Sequence, residues 1–176
     1  MSDFLTDIQT LRDRARQNIE KGPVTDTYGA DRERVIAVMN DALATEIVCY
    51  LRYKRHFFMA SGLNSGNAAA EFLEHANQEL GHADQLAARI TQLQGEPNFS
   101  PVGLADRSHA EYVEGTSLND MIKEDLVAER IAIQSYQEIV RWLGTSDSTT
   151  RRLFEEILAV EEEHADDLLD LLDQIA

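Results

Sequence analysis

Glu79-Leu80-Gly81-His82-Ala83-Asp84 and Glu161-Glu162-Glu163-His164-Ala165-Asp166 are two copies of one pattern, Glu-x-x-His-Ala-Asp, in a chain of 176 residues. Residues three apart on an α-helix share a face, so each copy can aim a carboxylate and an imidazole at one point. A single Glu-x-x-His is common and carries little. Two copies with the same Ala-Asp extension form a repeat.

The repeat reaches further. Glu46 is followed by Tyr53 and Glu129 by Tyr136, seven residues on in both cases. Seven residues are close to two helical turns, or about 10 Å, so each glutamate and its tyrosine lie on one stripe. The halves are offset by 83 residues from Glu46 to Glu129, and by 82 from Glu79 to Glu161 and from His82 to His164. The chain therefore reads as two related helical hairpins.

Glycine, proline and serine cluster at Gly22-Pro23, from Ser61 to Gly66, from Gly95 to Gly103 and at Gly144-Thr145-Ser146, and these are the breaks. The segments between them are rich in Ala, Leu, Glu, Gln and Arg. Their apolar residues recur at three and four, as in Leu153, Ile157, Val160 and Leu168. The pattern predicts an all-α fold with helices over about 31–61, 66–94, 117–143 and 147–174. Residues 4–20 place Phe4, Leu5, Ile8, Leu11, Ala15 and Ile19 on one stripe, which predicts an extra N-terminal amphipathic helix. The expected organisation is residues 1–30 as that helix and its linker, and 31–176 as the bundle.

Ligands in an antiparallel hairpin face one another when they are equidistant from its turn. The midpoint of Glu46 and Glu79 falls inside the Ser61 to Gly66 turn, and that of Glu129 and Glu161 inside the Gly144 to Ser148 turn. Two independent turns thus set four glutamates level, with the two histidines one turn away. Four carboxylates and two neutral imidazoles carry a charge of about −4, too costly to bury together without cations. Two divalent ions balance it. Oxygen and imidazole donors without thiolate suit iron or manganese, and zinc also fits. On charge alone, neutralising one ligand, as in Glu129→Gln, is expected to stabilise the metal-free protein.

One Glu from each of two helices plus Glu-x-x-His from each of the other two is the ligand pattern of ferritin-like di-metal bundles. Glu46 through Tyr53 and His56, Glu79 through Asp84, Leu93 through Asn98, Asp125 through Glu129, and Glu161 through Asp166 resemble the ferroxidase segments of bacterioferritin, over roughly residues 35–172. The resemblance implies a ferritin-like four-helix bundle with a long crossover between its second and third helices. It implies two iron ions per chain, bridged by Glu79 and Glu161, with Glu46 and His82 completing one site and Glu129 and His164 the other. Tyr53 and Tyr136 are candidate catalytic residues supporting that site.

Three departures stand out. Leu80 occupies the position of a haem-ligating methionine, so no haem is expected. Only 12 residues follow His164, too few for the fifth helix of 24-subunit cages, and 50 residues separate Glu79 from Glu129. The long crossover resembles bacterioferritin-like members of the Dps family, which implies a homo-oligomer of 12 subunits, although the cysteine pair often found there is missing. A short helix is expected around Leu104 to Tyr112.

The remaining features carry ordinary readings. His75 and His109 have no sequence partners and read as surface residues, His56 as a histidine without metal, and Cys49 as a small buried thiol. One cysteine excludes an internal disulfide. No stretch approaches bilayer length and no leader pattern opens the chain, so a cytoplasmic protein without membrane contact is expected. The net charge of −16 makes DNA binding an unfavourable expectation. The leading expected function is a ferroxidase that oxidises Fe(II) with hydrogen peroxide or dioxygen within a hollow shell, for iron storage and detoxification. A rubrerythrin-like peroxidase or manganese catalase, and a structural or DNA-protecting shell, are the competing readings.

Overall fold

The structure of the chain, a computed structural model, describes residues 6–62 and 65–175. Four long helices form the body: α2 (Arg32–Met59), α3 (Ser65–Gln92), α5 (Leu118–Leu143) and α6 (Ser148–Ile175), with a short α1 (Ile8–Ala15) before them and a single-turn α4 (Leu104–Arg107) in the crossover. The long helices begin and end within two residues of the sequence expectation. Their starts are chemically marked. Asp31, Ser117 and Asp147 accept the amide N–H groups of Arg34, Asp120 and Thr150, which satisfies backbone donors that have no partner inside the helix. Gly144 ends α5 at φ 49°, a left-handed conformation that favours glycine.

Neighbouring helices run antiparallel. Between α2 and α5, Glu46 meets Tyr136, Tyr53 meets Glu129 and His56 meets Asp125, so rising numbers on one helix meet falling numbers on the other. The two larger clusters of the core are apolar plugs. One contains Met39, Leu43, Leu86, Ile90, Ile139, Phe154 and Ile157; the other contains Phe72, Ala76, Met121, Ile122, Leu168 and Leu171. On every long helix, the interval between the plugs holds the predicted ligands. The polar layer is thus closed off from water at both ends of the bundle.

The crossover runs along α2 and is held there by α2 side chains. Asn40 bonds the Glu96 carbonyl and the Asn98 amide, Thr45 accepts the His109 amide, and Arg52 donates to the Glu111 carbonyl at 2.9 Å. The carbonyl of Glu114 accepts from His56 and from Arg55. Gly95 is required where the chain leaves α3, because a Cβ there would sit 2.8 Å from the side chain of Ile36. Arg52 and His56 also bond the two oxygens of Asp125, each at 2.7 Å, which ties the crossover, α2 and α5 into one buried network.

Two segments depart from expectation. Phe4 and Leu5 of the predicted N-terminal helix lie outside the described residues. The helix itself ends at Ala15, followed by a 3₁₀ turn at Ile19–Lys21. Asn18 takes φ 52°, which breaks the helical path before Ile19 can join the stripe. No residue of α1 is buried, and Ile8 and Ile19 are 60% and 75% exposed. In the crossover, helix forms only over Leu104–Arg107, short of Tyr112.

Candidate metal centre

Six side chains meet between the apolar plugs: Glu46 from α2, Glu79 and His82 from α3, Glu129 from α5, and Glu161 and His164 from α6. None is more than 5% exposed. They fall into two overlapping quartets, Glu46, Glu79, His82 and Glu161, and Glu79, Glu129, Glu161 and His164, each with donor atoms within 4.8 Å of one another. Glu79 and Glu161 are common to both. All six residues singled out from the sequence are therefore together. Asp84 and Asp166, the ends of the repeated motif, are exposed and take no part.

Both imidazoles present Nδ1 to the carboxylates. His82 Nδ1 lies 3.2 Å from Glu46 and 3.0 Å from Glu161; His164 Nδ1 lies 3.4 Å from Glu161 and 3.5 Å from Glu79. On the far side of His164, Nε2 is 2.8 Å from the Gln78 side-chain oxygen. An amide oxygen only accepts, so Nε2 carries the proton and Nδ1 is the nitrogen left for an ion.

The tyrosines act crosswise. Tyr53 of α2 donates to Glu129 of α5, and Tyr136 of α5 donates to Glu46 of α2. A tyrosine cannot bond the glutamate two turns along its own helix. The antiparallel partner brings the other glutamate to it. Burial pushes the phenols of both tyrosines well above their ordinary range, and the facing carboxylates push them further, so each remains a donor.

The layer's protonation follows from its crowding. Burial and the neighbouring carboxylates hold Glu79 well above the usual carboxylate range, and raise Glu161 to about 7. Burial alone would lower the two histidines, but the facing carboxylates outweigh it and raise His82 to about 10 and His164 to about 9. Glu129 goes the other way: burial opposes its charge, yet His164 and Tyr53 bring it down to about 2. These bonds do not satisfy the layer. Glu79 Oε1, Glu129 Oε2, both oxygens of Glu161 and His164 Nδ1 are buried without a hydrogen-bond partner. Orphaned polar atoms cost free energy in an apolar interior, and here they converge on shared points. The donor set and its unmet valences fit two divalent cations, which would supply the missing electrostatic partner.

The profile of the family described as "Ferritin-like domain" matches residues 36–176. The chain belongs to the ferritin-like family. Among curated relatives of this ferritin-like chain, the bacterioferritin of Brucella melitensis is 32% identical over 149 residues, covering 81% of this chain and 85% of the relative. The bacterioferritin of Rhodobacter capsulatus is 28% identical over 137 residues, covering 76% and 79%. A solved structure described as a dodecameric thioferritin, the bacterioferritin-related protein of Bacteroides fragilis, superposes with a TM-score of 0.80 at 33% identity, covering 84% of this chain and 89% of that one. Dps from Thermosynechococcus elongatus shares the fold, with a TM-score of 0.76 at 21% identity over 80% of this chain and 90% of its own.

Several residues at the ferritin-like centre escaped the sequence reading. His75, expected at the surface, is 1% exposed: its ring stacks on His164 with centroids 4.0 Å apart, and its Nδ1 lies 3.3 Å from the Tyr53 hydroxyl. Its place four residues before Glu79 is the one signal that it shares the ligand face. Gln78 has no counterpart in the second half, where Val160 stands 82 residues on, so the repeat hides it. Cys49 is buried with its thiol pushed up by desolvation, as expected for an inert packing residue, and His109 is exposed.

Proposed function

We propose that this ferritin-like chain is a ferroxidase: it binds two Fe(II) in the overlapping quartets and passes their electrons to hydrogen peroxide or dioxygen. The observation that carries the reading is the set of orphaned carboxylate oxygens converging on two points in a layer sealed by apolar plugs. In this proposal Glu79 and Glu161 bridge the ions, Glu46 and His82 complete one position, and Glu129 and His164 complete the other. Two Fe(II) give up two electrons in becoming Fe(III), which with two protons reduces one hydrogen peroxide to two waters, or one dioxygen to hydrogen peroxide. The chain's own part is to orient and to hold protons. Tyr53 and Tyr136 fix Glu129 and Glu46 from across the bundle, and Gln78 fixes the His164 ring.

The family membership and the bacterioferritin relatives support iron handling as the biological role, with storage and detoxification of iron as its expression. A 12-subunit hollow shell is proposed from the description of the Bacteroides fragilis relative as dodecameric. No helix among the described residues is long and apolar enough to cross a membrane, and the surplus of acidic residues over basic ones disfavours contact with DNA. A cytoplasmic location completes the proposal.

The test is rapid mixing of Fe(II)-loaded protein with hydrogen peroxide or with dioxygen. A fast di-ferric absorbance saturating at about two irons per chain is expected, and Glu79→Ala or Glu161→Ala should abolish the fast phase. Undiminished oxidation in both variants refutes the reading.

A further inference from the structure

Beyond the two quartets, the geometry points to a third, mononuclear site for a divalent first-row cation, formed by His75 Nε2, Glu71 and Asp167. His75 Nε2 lies 3.7 Å from Glu71 Oε1 and 3.5 Å from Asp167 Oδ2, and the donor atoms of all three residues are within 4.8 Å of one another. These separations are too long for good hydrogen bonds. They match an ion held between the donors, since bonds of about 2.0–2.2 Å to a tetrahedral centre put the donors about 3.4 Å apart.

The hydrogen bonds around His75 prepare that nitrogen. Tyr53 spends its hydroxyl proton on Glu129, so its oxygen can only accept from His75, and the proton on the ring belongs on Nδ1. Nε2 is then left with its lone pair facing two carboxylates. Consistent with this, Nε2 is buried without a hydrogen-bond partner, although the residue is 1% exposed. A structural imidazole sealed in a core normally finds a partner at both nitrogens. Glu71 and Asp167 are partly exposed, with side chains at 31% and 43%, so an ion can reach the position from solvent and keep water as its fourth ligand.

The site adjoins the main centre through two contacts. The His75 ring stacks on His164, and its Nδ1 touches the tyrosine that positions Glu129. An ion at Nε2 would therefore stand one imidazole away from the second quartet. The site does not depend on the quartets being filled, because none of its three donors belongs to them.

Zn(II) is the probe, since it is redox-inert and accepts imidazole and carboxylate donors. Crystals of the full chain soaked in graded Zn(II) should show an anomalous peak within bonding distance of His75 Nε2, in addition to peaks at the quartets. Equilibrium dialysis should find a third, weaker Zn(II) per chain. The Glu71→Gln/Asp167→Asn variant should lower affinity at that position by about tenfold or more while the quartet peaks persist. Zn(II) peaks confined to the quartets at saturation would overturn the third site and leave the ferroxidase reading intact. A His75 peak with empty quartets would support the third site and overturn the dinuclear one. A His75 peak undiminished in the double variant would overturn the ligand set proposed here.

Discussion

Loading the centre with metal at pH 7 should release at least about two protons per chain, because the ligands must bind deprotonated. The count comes from the metal-free geometry. His82, raised to about 10, and His164, raised to about 9, are both charged at pH 7. Burial and three neighbouring glutamates hold Glu79 well above its ordinary range, which can only add to the release. Glu161, at about 7, contributes about half of one more, and Glu129, near 2, contributes none. Two histidines at their ordinary value of about 6.5 would release only about half a proton between them. Calorimetric titration with Zn(II), or with Fe(II) under anaerobic conditions, in non-coordinating buffers of different ionisation enthalpy reads the number directly as a slope. The same number sets the pH dependence: the product of the two binding constants should rise by at least about two decades per pH unit near pH 7. A slope near half a proton would refute the argument that crowded carboxylates hold protons in place of the absent cations.

Further outcomes follow from the same contacts. Glu129→Gln should destabilise the metal-free protein by about 1–3 kcal/mol in urea unfolding, because Glu129 is an ionised partner of Tyr53 and His164. This reverses the expectation from counting charges; Glu79→Gln, at a carboxyl that burial and neighbouring carboxylates hold well above its ordinary range, should cost less than Glu129→Gln. Asp125→Ala should cost about 3–5 kcal/mol by stranding buried Arg52 and removing the clamp on the crossover. Asp147 caps α6 and bonds Tyr28 and Arg89; burial opposes its charge, but those bonds and Thr150 hold its carboxyl below the ordinary value. Its folded value is depressed, so its stabilisation is present above the unfolded value of about 3.9 and lost as pH falls through the folded one. The stability gap between wild type and Asp147→Asn should therefore close in acid unfolding below about pH 4. Tyr136→Phe should weaken metal binding at the Glu46 and His82 position more than at the other, and Tyr53→Phe the reverse, as read by the two-site Zn(II) isotherm.

What the sequence determined was whatever depends on distance along the chain. The helix spans follow from three-and-four periodicity and from breaks at Gly and Pro clusters. The six candidate ligands follow from i, i+3 spacing and from turns placed midway between paired glutamates, both of which are local geometry. The N-terminal stripe misled because periodicity reports an apolar face but not whether anything covers it, and Asn18 ends the regular path before Ile19. Tertiary structure decided which helix faces which, and with what rotation. The tyrosine–glutamate bonds join residues 76 and 90 positions apart, His164 meets Gln78 across 86, and Arg52 meets Asp125 across 73. No periodicity encodes those pairings. His75 shows the difference most plainly: its sequence neighbours mark it as one more polar helix residue, and only the approach of α2 and α6 buries its ring against Tyr53 and His164 and turns its free nitrogen toward Asp167.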